Sequence, residues 1–213
     1  RGELRPGIVH RLDKDTSGCL VLALDAQARR ILGEQFAGSA AGRVYRCLVA
    51  PAPLRDSGRI EGRMGHGRDG RRAVVDDDQP GKTAVTRWRV VRRFGAIAAE
   101  LELELETGRT HQIRVHLAEL GCPVLGERIY GRRQRLPPPG GVRAARPLLH
   151  ALRLELDHPG SGARLRLEAP PPADYTEAVA RLEQAAAAPA QAVATTPPSP
   201  AQRRRPVRPR PAR

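Results

Sequence analysis

Several things are scarce in this chain of 213 residues, and each scarcity excludes something. Its three cysteines, Cys19, Cys47 and Cys122, are too few and too scattered for a disulfide scaffold or a four-ligand zinc cluster. Thiols so placed suit a reducing compartment, and the cytoplasm is the expected location. Aromatic residues make up 3% of the chain, too few for a broad base-stacking platform. No run of about 18 apolar residues exists, so no membrane-spanning helix and no membrane partner are expected. The motif repertoire is equally bare. The sequence has no G-x-x-x-x-G-K-[ST] phosphate loop, no G-x-G-x-x-G after a strand, no G-x-S-x-G elbow and no H-E-x-x-H zinc pair.

Acidic residues stop at Glu183, whereas basic ones do not. Of 37 Lys and Arg, only Lys14 and Lys82 are lysines, and the formal net charge is +14. Arg203, Arg204, Arg205, Arg208, Arg210 and Arg213 lie in an Ala- and Pro-rich end, leaving a net +8 over residues 1–184. The end segment, 185–213, lacks an apolar face that would offset its ordering entropy, so it reads as a disordered basic tail. Such a tail can touch phosphates without specificity, or simply add solubility. The body remains positive without it, which favours an anionic macromolecular partner.

Periodicity outlines the folded part. Residues 19–25, CLVLALD, form a short apolar run between Gly and Asp and predict a buried strand. Residues 26–36 place Ile31, Leu32 and Phe36 at helical spacing, with Gly38 as a stop. VYRCLV, 44–49, reads as a strand. The Gly- and Arg-rich stretch 55–82 predicts hairpins and loops with a short strand near 73–75, and the 62–70 portion a loop open to RNA phosphates. Residues 83–91 and 98–106 alternate, the second with Leu101, Leu103 and Leu105 inward and glutamates outward. Gly95 marks their connection. Residues 110–120 predict a short helix ended by Gly121, residues 163–169 a strand with Leu165 and Leu167 inward, and residues 175–184 a last helix capped by Asp174. Residues 148–156 are periodic without a clear type. Two strands in succession without an intervening helix favour an α+β fold over a repeated βαβ unit.

Two polar clusters carry candidate chemistry. In HRLDKDTSG, 10–18, Asp13 can serve as nucleophile or base beside His10 and Arg11, or the segment is only a turn that starts a strand. In TGRTHQIRVH, 107–116, Arg109 and Arg114 stand five apart, as do His111 and His116, an offset unsuited to a shared helical face. Arginine's fork suits a phosphate or a buried carboxylate.

PGIVHRLDKDTSGCLVLA, 6–23, closely resembles the active-site motif of the RluA-type pseudouridine synthases. TGRTHQIRVHLAELGCPVLGERIYG, 107–131, RPLLHALRLELDHP, 146–159, and GRVYRCLVA, 42–50, resemble further segments of that family, in its order. The resemblance implies isomerisation of uridine to pseudouridine in structured RNA, with ribosomal RNA as the first substrate and transfer RNA as the second. It implies Asp13 as the catalytic aspartate, Tyr45 as a stacking tyrosine and Arg114 as the partner of Asp13. Arg11 matches a residue linked to base flipping. His10, Thr16, Arg109, His111 and Gln112 are expected to line the base- and RNA-binding surface, and Leu149 the final pocket-lining motif. The implied fold is a mixed, mainly antiparallel sheet with flanking helices over residues 1–184. No metal, organic cofactor or obligate protein partner is implied. Family members carry a further strand and a K-P-x-G-type turn ahead of the HRLD segment, so the resemblance implies a domain truncated at its N-terminus. An RNA-binding protein that has lost catalysis through that truncation is the competing expectation. A metal-dependent phosphoesterase fits less well, because the carboxylates and histidines form no cage.

Overall fold

The computed structural model describes residues 7–130 and 139–188. In chain order the elements are β1 (Gly7–Ile8), β2 (Ser17–Gly18), β3 (Leu22–Ala23), α1 (Ala26–Ala37), β4 (Gly42–Val49), β5 (Ser57–His66), β6 (Arg72–Val75), β7 (Gly81–Phe94), β8 (Ala98–Leu105), α2 (Gln112–Glu119), β9 (Leu149–Asp157), β10 (Arg164–Glu168) and α3 (Ala173–Ala187). The main sheet runs β10-β9-β4-β8-β7-β5-β6. Neighbours along that path are antiparallel. The short β2 adds a parallel contact to β9, and β1 pairs with β3 apart from the sheet. This is the mixed, mainly antiparallel α+β architecture expected from the sequence.

The period of two in the central strands sorts side chains onto two faces. Tyr45, Cys47 and Val49 of β4 stand opposite Leu103, Leu101 and Ala99 of β8. They form one core with Trp88, Leu149 and, from α2, Ile113 and Leu117. On the other face Leu48, Phe94, Ala98 and Leu148 pack under Tyr175, Ala178 and Leu182 of α3. Helix α1 starts on Asp25, whose carboxylate accepts from the Ala28 amide at 2.8 Å. It buries Leu32 and Phe36 against Ala23, Leu154 and Leu156.

Several expectations need correction. Residues 19–25 are not a buried strand: only Leu22–Ala23 is extended, and Leu20, Leu22 and Leu24 face outward. Their neighbours Val21 and Ala23 take the inward positions, so the run alternates although every residue from 19 to 24 is apolar. The Gly-rich 62–70 stretch is not chiefly a loop. Strand β5 pairs with β7 from Ser57↔Arg89 to Gly65↔Gly81, so the ladder satisfies its backbone and only the tip near Gly67–Gly70 turns. The outward-facing glutamates of β8 are not all exposed. Glu100 and Glu102 are buried, because α3 and the long arginine stems of neighbouring strands cover that face. Glu102 accepts from Arg46 and Arg89, both opposite it in register, and Glu100 accepts from the Tyr175 hydroxyl at 3.2 Å. Leu167 is 39% exposed rather than inward, as β10 is an edge strand. Asp174 does not cap α3; Pro172 holds that place, and Asp174 instead takes two hydrogen bonds from Arg146. That helix continues through Ala187, three residues into the expected tail; residues 189–213 lie outside those described.

One contact positions everything that follows. Ser17 and Gly18 lie in register with His150 and Ala151. Gly18 has φ +116°, and a Cβ there would stand 2.2 Å from the Ala151 carbonyl oxygen. Only glycine permits this approach. Replacing Gly18 by Ala is therefore expected to lower the unfolding free energy by about 2 kcal/mol or more, from backbone strain plus displacement of the β2–β9 contact. Urea unfolding followed by circular dichroism checks this, and an unchanged midpoint contradicts it.

Candidate active site

The polar segment ahead of β2 is fixed at both ends. Downstream, the Cys19 amide donates to the Ala151 carbonyl at 2.9 Å, and Ser17 Oγ lies 3.0 Å from His150 Nδ1. Between them, the Thr16 amide closes a turn on the Asp13 carbonyl at 3.0 Å. Upstream, His10 Nε2 accepts from the Val21 amide at 2.9 Å, and its ring stacks on Phe36 with centroids 4.3 Å apart. Burial, and secondarily the charge of Arg43, lowers the His10 pKa to about 4. The imidazole is thus neutral, with its proton on Nδ1 because Nε2 is the acceptor.

The turn presents the Asp13 carboxylate to Arg114 on α2. Arg114 Nη1 lies 3.6 Å from Asp13 Oδ2. The guanidinium is held from behind by Glu127: Nε donates at 2.6 Å and Nη2 at 2.9 Å, a bidentate fork. The Glu127 side chain is 1% exposed and that of Asp13 19%, so one carboxylate is sealed and the other faces open space. Burial alone would push Glu127 up. The Arg114 hydrogen bonds, the Ile129 and Tyr130 amides and the Arg114 charge outweigh it and hold the carboxyl below its ordinary range. The Tyr130 ring lies beside the same guanidinium, 5.3 Å from centroid to Cζ, and its hydroxyl meets His111 Nδ1. His111 Nε2 stands 3.9 Å from Asp13 Oδ1. Burial keeps the His111 pKa low against the opposing charge of Asp13. His111 itself is left-handed, φ 60°, so α2 begins at Gln112, two residues later than the sequence suggested.

A cavity of about 320 Å³ opens in front of Asp13, between α1 and the start of α2. Its lining includes Tyr45 from β4 and Leu149 from β9. Burial raises the Tyr45 pKa to about 12, so the phenol keeps its proton at neutral pH. His10, Arg11, Asp13, Thr16, Arg109, His111 and Gln112 line the same cavity, and Arg114 supports it from behind Asp13. The structure thus gathers the sequence-predicted residues in one place but separates their parts. The Gln112 amide is committed to the protein: it donates to the Val85 carbonyl and Thr86 hydroxyl, and accepts from the Arg109 amide and Thr107 hydroxyl. With all of these made, it has little left for a ligand. His10 Nε2 is likewise committed, to the Val21 amide, while its ring lines the cavity. His116, five residues past His111, is buried against the Thr86 hydroxyl, away from the cavity. Sequence reasoning missed Glu127 and Tyr130. A signal for the first existed: Glu127 is the single acidic residue between Glu119 and Glu155.

With this geometry in view, the sequence matches the family model "RNA pseudouridylate synthase" over residues 1–119. Ribosomal large subunit pseudouridine synthase D of Pseudomonas aeruginosa is 40% identical over 188 residues, covering 84% of this chain and 58% of that protein. An uncharacterized RNA pseudouridine synthase of Chloroflexus aurantiacus is 44% identical over 187 residues, covering 87% of this chain and 56% of its own length. The chain therefore spans somewhat over half of these relatives. Among solved structures, human RNA Pseudouridylate Synthase Domain Containing 4 superposes with a TM-score of 0.68 at 27% identity, covering 83% of this chain and 76% of that one.

The Arg114–Glu127 pair yields a pH signature. Because the folded Glu127 pKa is depressed, its contribution is complete above the unfolded glutamate value near 4.3 and is lost as pH falls through the lower folded value. Glu127→Ala is expected to cost about 3 kcal/mol at pH 7, since it strands a buried cation. The gap between wild type and variant should hold from pH 6 to 8 and shrink below about pH 4. Urea denaturation across that range is the measurement, and a gap that persists undiminished into strong acid contradicts the assignment.

Proposed function

This chain belongs to the RNA pseudouridylate synthase family, and from that premise we propose that it isomerises uridine to pseudouridine in structured RNA. The observation that carries the reading is the Asp13 carboxylate, facing a nucleoside-sized cavity with a pinned guanidinium at 3.6 Å. Ligand sites run from roughly 300 to 1,000 Å³, and this one lies at the small end. One base and its ribose fit such a space and a duplex does not, so the target nucleotide must swing out of its stack.

Asp13 carries the chemistry. Uracil leaves C1′, turns, and rejoins through C5, giving up the C5 proton. The carboxylate either bonds to C1′ as the base departs or removes the ribose C2′ proton to open a glycal path. Both routes use the same open lone pairs. Arg114 is the positioning cation: it sets a permanent charge beside Asp13 without a proton to lose. Tyr45, protonated and fixed in the sheet, supports the displaced ring by stacking, with Leu149 beneath it. Arg11, exposed at the cavity rim, takes the place the base vacates. His111 and Thr16 offer polar edges to the ribose and base.

Large-subunit ribosomal RNA is the first substrate to test, because relatives at this level of identity are named for it; transfer RNA is the second. Both are cytoplasmic RNAs, and three unpaired thiols suit that compartment. Mapping pseudouridines in total RNA with and without the gene distinguishes the two. Asp13→Asn is expected to reduce tritium release from RNA carrying 5-³H-uridine to background. Arg114→Lys, which keeps the charge but not the fork, should slow release roughly 10–100-fold, the worth of one or two charge-assisted hydrogen bonds. Release by Asp13→Asn at the wild-type rate overturns the reading, and RNA binding without release by the wild type favours a binding protein instead.

A further inference from the structure

Arg43 is the residue in the cavity wall that this chemistry leaves unused. Strand β4 carries it two positions before Tyr45, on the cavity side. It is 8% exposed. Two arginines in the described residues are buried to this degree, Arg43 and Arg114. Arg114 has carboxylates on two sides. Arg43 has none: no described residue pairs with it, and its buried Nε has no hydrogen-bond partner. The permanent charge that acts on it is another cation, Arg109. Arg109 also lines the cavity, spends its Nε on the Thr83 carbonyl at 3.0 Å, and has no carboxylate partner among the described residues. Burial, and in smaller part the charge of Arg109, holds the Arg43 pKa below the usual arginine range. Gly108 keeps the space for it, since a Cβ there would stand 2.6 Å from Arg43 Nη1.

A buried guanidinium without a counter-ion is costly, and a second cation beside it adds to the cost. An anion removes both penalties. Uracil and ribose are neutral, so the anion that accompanies a target uridine is its phosphate. The planar fork of arginine matches phosphate oxygens. We propose that Arg43, with Arg109 beside it, is the subsite for the phosphate adjoining the target uridine. This rests on the RNA-modifying reading above and adds to it the group that anchors the nucleotide by its backbone while Asp13 meets its sugar.

The test uses three small probes, uridine, uridine 5′-monophosphate and uridine 3′-monophosphate, titrated into the whole chain and followed by NMR or calorimetry. One monophosphate is expected to bind at least about tenfold more tightly than uridine, with the gain falling as salt rises. Arg43→Gln should abolish that gain, and Arg43→Lys should keep part of it. Gly108→Ala, which pushes the guanidinium aside while leaving its charge, should reduce the gain and serves if Arg43→Gln does not fold. Equal binding of the three probes, no binding by any, or a gain that survives Arg43→Gln overturns the subsite. Asp13→Asn should retain the full gain. A gain in a protein that makes no pseudouridine would sink the reaction and keep the subsite; pseudouridine formation without a gain would do the reverse.

Discussion

Arg114 stands between two carboxylates of unequal standing, and the site depends on that inequality. Glu127 is sealed from solvent and grips the guanidinium by two hydrogen bonds. Asp13 is reached at 3.6 Å, near enough for charge and too far for a hydrogen bond. A guanidinium bound equally to both would consume the lone pairs of each. Bound as it is, it spends its directional bonds on Glu127 and leaves Asp13 a fixed field with a free face. Such preorganised charge costs nothing at the moment of reaction. It also explains why burial of Arg114 is tolerable: the bidentate partner Glu127, not Asp13, compensates desolvation.

That arrangement needs a frame that does not yield, and the sheet supplies it from both sides. Helix α2 brings Arg114 to Asp13 while Ile113 packs in the core, and Gln112 ties its first turn to β7 through the Val85 carbonyl and Thr86 hydroxyl. The Asp13 turn comes from elsewhere in the chain and meets β9 through Ser17 and Gly18. Behind the sheet, the carboxylates of Glu100 and Glu102 link β8 to β4, β7 and α3. Asp13 and Arg114, from distant segments, are thus referred to one rigid surface, which sets their separation.

The legible part of this fold was the part with a clean period. β7 and β8 alternate, α1 repeats at helical spacing and ends at Gly38, and these signals reflect local backbone geometry. What alternation reports is residue type, not what later covers a face. Glu100 and Glu102 read as solvent-facing because nothing local announces α3, which arrives some seventy residues later. Residues 19–24 erred in the other direction: uniform apolar composition concealed an outward row of Leu20, Leu22 and Leu24. In β5, arginines between glycines imitated a loop while the backbone ran in register with β7. The site was legible as a set of motifs, not as a division of labour. Asp13 and Tyr45 line one cavity with Arg114 behind Asp13, Gln112 and His10 Nε2 are bonded to the protein around it, and Glu127 is visible only once its two oxygens are seen to face Arg114.

The cavity is polarised, and its polarity has a consequence for the substrate. Asp13 with Arg114 and Glu127 behind it forms a cluster of net charge −1, while Arg11, Arg43 and Arg109 contribute +3 to the same lining. A free nucleobase would find no reason to prefer one orientation between them. On the function proposed above, a nucleotide has such a reason, because its phosphate is drawn toward the arginines and away from the Asp13 carboxylate. Orientation of the sugar toward Asp13 then follows from where the backbone must go, rather than from recognition of uracil. On this argument the base edge is left for Thr16, His111 and the Tyr45 ring to define. If the chain isomerises uridine in RNA as proposed, discrimination among uridines must come from the surface beyond the cavity, where the arginine excess of the body supplies attraction without sequence preference.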